Sequence, residues 1–184
     1  TNSDYDPYDV PGITVSNGDI TAIPNPDEGE QDPEETDRKM DRVLEIMKSA
    51  ASTPIHTPVK SMGGLIGGEA KKISDHKDAG KGLCGDLLER AVIYAMATLE
   101  TNASMGVIVA SPTAGSAGIV PGLLLALQET YDLSDEQIKQ GLYNASAIGY
   151  LAMRNATVAG AVGGCQAEVG IASAMAASAT VELM

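Results

Sequence analysis

Three glycine-rich breaks, each running straight into a segment of helical spacing, constrain this chain more than any other feature. They are Ser61-Met62-Gly63-Gly64-Leu65-Ile66-Gly67-Gly68, Ser111-Pro112-Thr113-Ala114-Gly115-Ser116-Ala117-Gly118 and Gly160-Ala161-Val162-Gly163-Gly164-Cys165. Glycine has no Cβ, so such segments turn sharply and let other groups approach the backbone. No segment of the body alternates polar and apolar residues for long, which argues against a sheet. Phe and Trp are absent and the six Tyr are the only aromatics, so the core must be built from Ala, Val, Ile, Leu and Met. The fold expected is all-α: a compact helical bundle with glycine-rich loops before its helices.

Two regions are expected. Residues 1–31 read as an irregular acidic leader, punctuated by Pro7, Pro11, Gly12, Pro24, Pro26 and Gly29, with Ile13, Val15, Ile20 and Ile23 spaced as a short hairpin about Asn17-Gly18. Residues 32–184 read as one helical domain. Asp32 caps a first helix, Pro33 fits its first position, and Met40, Val43, Leu44 and Met47 line one face as far as about Ser52, before Pro54. A second helix follows from Glu69 to about His76. A third runs from about Leu83 to Thr101 with Leu87, Leu88, Ala91, Val92, Ala95 and Leu99 inward. A short helix is expected around Val107, and a fourth from Ser116 to Tyr131. The capping box Ser134-Asp135-Glu136-Gln137 opens a fifth, to about Asn155, and a sixth runs from about Cys165 to the end. The last two are dense in Ala, Gly and Ser, so they are expected to pass through the middle of the bundle. Met96, Met105, Met153 and Met175 read as core filler, and Glu89 and Arg90 as a solvated face.

The net charge of −13 is unevenly placed: residues 1–41 hold 12 of the 25 acidic residues against Arg38 and Lys39, and so carry −10 of it. There is no basic patch interleaved with aromatics, which argues against nucleic acid. Thr101 to Gln128 is uncharged, but breaker and polar residues interrupt it at 111–116 and no Lys or Arg cluster flanks it, which argues against a membrane span. No basic segment followed by an apolar one opens the sequence, so no secretory signal is expected. Cys84 and Cys165 form neither a disulfide framework nor a CxxC pair, and two free thiols suit a reducing cytoplasm.

The three breaks offer amide donors at helix N-termini, where anions bind. None has the Lys-Ser/Thr pair of a phosphate-binding P-loop, and none follows a clear strand, so a small carboxylate is a better ligand than a nucleotide. Ser61, Gly64, Gly67 and Gly68 are candidates to bind it in the first break, and Thr113, Gly115 and Ser116 in the second; ordinary turns and caps are the alternative for each. Asn102 and Asn155 could hydrogen-bond a substrate or the loops. His56 and His76, the only histidines, are candidate bases. Cys165 stands between glycines and ahead of Gln166 and Glu168, and reads either as a buried small hydrophobe or as a reachable thiolate ligand.

Taken together and in order, Ser61 to Lys72, Asn102-Ala103-Ser104-Met105-Gly106, Ser111 to Gly122, and Gly163-Gly164-Cys165-Gln166-Ala167-Glu168-Val169-Gly170 closely resemble the catalytic alpha domain of bacterial iron–sulfur L-serine dehydratases, over about residues 60–184. The resemblance implies a lyase of amino-acid degradation and gluconeogenesis that converts L-serine to pyruvate and ammonia. It implies a [4Fe–4S] cluster on three cysteines whose open iron polarises the serine hydroxyl while a base removes the α-proton. Cys165 matches the first cluster cysteine, Lys71 the position favoured over Lys72 for a catalytic lysine, and Gln166 and Glu168 lie beside the thiolate. The family's other cluster cysteines fall beyond Met184. The resemblance therefore implies a domain incomplete at its C-terminus, with no cluster and no dehydratase activity in the isolated chain. It also implies a second α/β domain or beta subunit, self-association, or both. The alternative function is a helical assembly or binding module whose glycines serve packing alone.

Overall fold

The computed structural model describes residues 14–15 and 33–184. Its elements are β1 (Thr14–Val15), α1 (Pro33–His56), α2 (Glu69–Asp78), α3 (Asp86–Ala103), β2 (Val109–Ala110), a 3₁₀ turn at Ala114–Ser116, α4 (Ile119–Tyr131), α5 (Asp135–Asn155), the single-turn α6 (Gly160–Gly163) and α7 (Cys165–Leu183). Among the described residues the protein is all-α apart from one two-residue ladder, in which Thr14 lies opposite Ala110 and Val15 opposite Val109, antiparallel. The expected hairpin about Asn17-Gly18 lies outside the described residues, except that Thr14 and Val15 pair with β2. Val109 and Ala110 are extended, and no helix forms around Val107. This corrects the expectation of a short helix there: two β-branched residues, Val107 and Ile108, lead directly into the ladder.

The core forms where α1, α4, α5 and α7 meet. Met40, Val43, Leu44 and Met47 of α1 pack with Val120, Leu124 and Leu127 of α4, Ile138 and Leu142 of α5, and Met175, Ala176 and Ala179 of α7. The central helix is α4, buried at Val120, Pro121, Gly122 and Leu124 through Leu127. Of the two Ala/Gly/Ser-rich helices expected in the middle, α5 is buried at Ile138, Lys139, Gly141, Leu142, Ala145, Ser146 and Gly149, and only the expectation for α7 is corrected. Helix α7 buries only Ala172, Met175, Ala176 and Ala179, and leaves Gly170, Ser173, Ala174, Ala177 and Val181 exposed. Small side chains gain little from burial, whereas the leucines of α4 gain about 2 kcal/mol each.

The buried face of α3 also differs from expectation. Ile93, Ala97, Thr98 and Glu100 are buried, whereas Leu88, Val92 and Leu99 are exposed. Helix α4 sets that rotation: a Cβ on Gly118 would lie 2.6 Å from the Ala95 carbonyl oxygen, and one on Gly122 would lie 2.9 Å from that of Ala91. The backbones touch through glycine, which turns Ala91 and Ala95 to α4 and Glu100 toward α2. Of the methionines, Met175 is buried, Met96 and Met153 are half-buried, and Met105 is exposed. Glu89 and Arg90 are half-buried rather than solvated; Arg90 pairs with Asp86 at 2.6 Å and with Glu129.

Helix α1 runs through Pro54 to His56 instead of stopping near Ser52. Proline has no N–H to give to the carbonyl four residues back. That carbonyl, on Ala50, instead accepts the Thr101 hydroxyl at 2.8 Å. Helix α5 starts as expected: Ser134 Oγ accepts from Gln137 N at 3.3 Å, and Gln137 Oε1 accepts from Ser134 N at 2.9 Å. Lys139 is its one buried cation, 5% exposed, and meets Asp37 and Asp41 of α1 and Glu136 at 2.9–3.0 Å. Hydrogen bonds from the Lys139 ammonium to Asp41 and Glu136 hold its pKa well above the ordinary lysine range.

Candidate functional site

The first glycine-rich segment closes on itself. Ser61 N donates to the Ile66 carbonyl at 2.9 Å, Ile66 N donates to Ser61 Oγ at 3.3 Å, and Gly64 N donates to the Ser61 carbonyl at 2.8 Å. Gly68 caps α2 with φ 98° and has no side chain to satisfy the amides beyond it. Two carboxylates do so instead. Glu69 Oε2 accepts from Gly67 N at 2.6 Å, and Glu100, reaching across from α3, accepts from Gly68 N at 2.8 Å and Ala70 N at 2.7 Å. The hydrogen bond from Gly67 holds the Glu69 carboxyl below its ordinary pKa. The anion at this helix end is thus the protein's own. Sequence reading missed Glu100, because its partners lie about 30 residues away and nothing local marks it.

The second and third breaks meet. Glu168, in the first turn of α7, accepts the Thr113 hydroxyl. A Cβ on Gly115 would come within 2.9 Å of the Glu168 carboxylate, and one on Gly160 within 3.0 Å. Within the turn, Ser116 Oγ lies 3.2 Å from Thr113 Oγ1 and donates to the Ser111 carbonyl at 3.2 Å. Asn102 Nδ2 donates to the Ala114 carbonyl at 3.2 Å. Asn102, Thr113, Gly115, Ser116, Gly160 and Glu168 therefore form one cluster. Cys165 lies one turn before Glu168 at the head of α7 and is exposed, as is Gln166.

The other candidates lie elsewhere. Lys71 pairs with Asp75 at 2.7 Å on the surface of α2. His56 lines a cavity of about 280 Å³ among α1–α4 with Lys77, Arg90, Tyr94 and Glu129. There Tyr94 donates to Glu129, and its pKa is raised chiefly by burial and also by that carboxylate. His76 lines a separate apolar cleft with Leu83 and Cys84. Asn155 Nδ2 donates to the Leu151 carbonyl at 2.8 Å, within its own helix end. Among the described residues, no three or more His, Cys, Asp or Glu side chains gather as a metal-binding group. Cys84 and Cys165 are both free. Nor is any described helix long and apolar enough to cross a membrane.

The family described as "Serine dehydratase alpha chain" matches residues 16–184. The chain belongs to that family. The probable L-serine dehydratase alpha chain of Bacillus subtilis (strain 168) is 46% identical over 154 residues, which cover 84% of this chain and 51% of that protein. The L-serine dehydratase alpha chain of Peptoniphilus asaccharolyticus is 43% identical over 151 residues, covering 82% and 52%. L-serine dehydratase 1 of Escherichia coli (strain K12) is 41% identical over 97 residues, half of this chain and 20% of its own length. The chain thus spans about half the length of the first two relatives. In this member of the serine dehydratase alpha chain family, the second and third glycine-rich breaks share one carboxylate, and the first is tied to α3.

Proposed function

We propose that this chain is the substrate-binding portion of an L-serine dehydratase, which converts L-serine to pyruvate and ammonia. The observation that carries the reading is the Glu168–Thr113 hydrogen bond one helical turn from an exposed Cys165, which sets a carboxylate, a hydroxyl and a thiol close together at the head of α7. In this reading the backbone amides of the 113–116 turn, that of Gly115 first, take the serine carboxylate, and Glu168 takes the ammonium. The Thr113 hydroxyl is already given to Glu168, and the buried Ser116 hydroxyl, given to the Ser111 carbonyl, shapes the turn. In the proposal Ser61 and Gly64 of the first loop complete the site, with Asn102 fixing the second loop. The net reaction is an elimination. The α-proton goes to a base, the β-hydroxyl leaves with a proton as water, and the 2-aminoacrylate tautomerises to an imine that hydrolyses. Lys71 would have to leave its Asp75 pair to act as that base, which keeps His56 and His76 as the alternatives.

Cys165 fits one thiolate ligand of a [4Fe–4S] cluster. The described residues do not fit a whole cluster, since no second thiolate stands near it, and no step is routed through one. The further ligands come from outside this chain in the proposal, together with a second domain or beta subunit. The isolated chain then has neither cluster nor turnover.

The test follows alkylation of Cys165 and Cys84 by peptide mass, with and without L-serine. L-serine, but not D-serine, slows alkylation of Cys165 and leaves Cys84 unchanged. Equal rates at Cys165 would favour an assembly module instead. Anaerobic treatment with iron and sulfide yields no stoichiometric absorbance near about 400 nm; a full cluster on the chain alone would refute the shared-ligand part of the proposal.

A further inference from the structure

The last turn of α3 carries three consecutive side chains that reach three different segments. Glu100 binds the amides of Gly68 and Ala70, Thr101 donates to the Ala50 carbonyl of α1, and Asn102 donates to the Ala114 carbonyl. Neighbours on a helix project about 100° apart, so a single turn can fan out in this way. Glu100 is 2% exposed, and each carboxylate oxygen takes one amide. Burying a carboxylate is costly unless it is hydrogen-bonded, and here both donors come from the positive end of α2. Glu100 also lines a cleft of about 260 Å³ with Thr57 and Val59, from the segment that leads into the first glycine-rich loop, and with Ser104, Gly106 and Val107, from the segment that leads into the second.

We infer that Glu100 is a positioning residue, setting loop 61–68 in register with loop 111–118 so that both face one substrate. The inference rests on the functional reading above. It adds that the two loops are coupled through the last turn of α3 and do not form independently. Glu100 touches no reacting atom in this account; it acts through Gly68 and Ala70.

The test uses the 184-residue chain with Glu100→Gln and Glu100→Asp. Gln keeps the shape but sets an NH₂ group against one backbone N–H; Asp keeps the charge on a shorter stem. L-serine affinity is read from protection of Cys165, and amide exchange is read at Gly68 and Ala70. Glu100→Gln is expected to weaken L-serine binding about tenfold, the equivalent of one charge-assisted hydrogen bond. Cys165 alkylation without serine should stay at the wild-type rate, and Glu100→Asp should recover part of the affinity. Unchanged L-serine affinity in Glu100→Gln, with the wild type binding normally, overturns the inference and leaves Glu100 as a structural cap. Absence of protection in the wild type refutes the functional reading instead. If Glu100→Gln does not fold, the wild type alone decides. L-serine should slow exchange at Gly68 and Ala70 together with Gly115 and Ser116, and slowing confined to one loop refutes the coupling.

Discussion

The mouths of α2 and α7 are built from the same residue types and are finished in opposite ways. At α2 the amides of Gly67, Gly68 and Ala70 are taken by Glu69 and Glu100. At α7, Gly164 caps the helix with φ 78° and no side-chain bond, Cys165 and Gln166 stand exposed, and Glu168 turns away to hold Thr113. The first mouth uses its anion-binding capacity to fix the chain. The second leaves its first turn open and uses its carboxylate to bring a distant loop alongside. Glycine-rich sequence before a helix thus predicts donors, but not what occupies them.

The contrast is broken most forcefully at Glu100. Glu100→Ala strands the buried Ala70 amide and the part-buried Gly68 amide, and urea unfolding should show a loss of about 4 kcal/mol. A loss under about 1 kcal/mol would mean that water replaces the carboxylate and that the α2 mouth is open too. Next comes Gly67→Ala. A Cβ there would lie 2.7 Å from Lys60 Cα and from the Val59 carbonyl oxygen, at φ 141°, so steric and backbone costs combine to about 3 kcal/mol. The matching change at the other mouth, Gly164→Ala, meets nothing within 4 Å and should cost only the backbone penalty of a positive-φ, extended conformation (φ 78°, ψ 164°) that is almost confined to glycine, about 2 kcal/mol. Equal losses at the two positions would show that the α7 mouth is as tightly packed as the α2 mouth.

These differences mark what could be read from the residues alone. The capping box at Ser134, the face of α1 and the starts of α2 and α7 are local signals, and local signals fix helix existence well. What escaped was set by partners far along the chain. Pro54 ends a helix on any local rule, but Thr101 supplies the missing donor to Ala50 from 51 residues away. The inward face of α3 was legible only in part: Leu87, Ala91 and Ala95 pack inward, but Gly118 and Gly122, not leucine spacing, decide which side meets α4 and leave Leu88, Val92 and Leu99 exposed. At the candidate site, the residue types in the second and third breaks were legible, and so was Glu168 as a neighbour of Cys165. The hydrogen bond from Thr113 that joins those breaks was not, nor was Glu100. Both belong to pairs separated by 30 residues or more.

Further out on α7 the comparison turns favourable to substitution. Gly170 is exposed, a Cβ on it would meet nothing within 4 Å, and it sits inside a helix, where glycine is a poor former. Gly170→Ala should therefore stabilise the chain by about 0.5–1 kcal/mol, read as a raised urea midpoint. A loss of stability would mean that another backbone approaches this face in solution.

The smallest effect is the response of the α2 mouth to acid. Gly67 N holds the Glu69 carboxyl below its ordinary value of 4.5, with its own backbone amide as the second cause. A depressed carboxyl pKa contributes stability that is present above the unfolded value and is lost as pH falls through the folded one. Lowering pH below the ordinary value of 4.5 should therefore loosen the Gly67 amide, seen as faster exchange once the intrinsic pH dependence is removed, and Glu69→Gln should flatten that response. The side chain of Glu69 is partly solvated, so the change in global stability is slight. A steep acid response that survives in Glu69→Gln would assign the titration to other carboxylates, and the two anions at the α2 mouth would then differ in kind: Glu100 structural, Glu69 incidental.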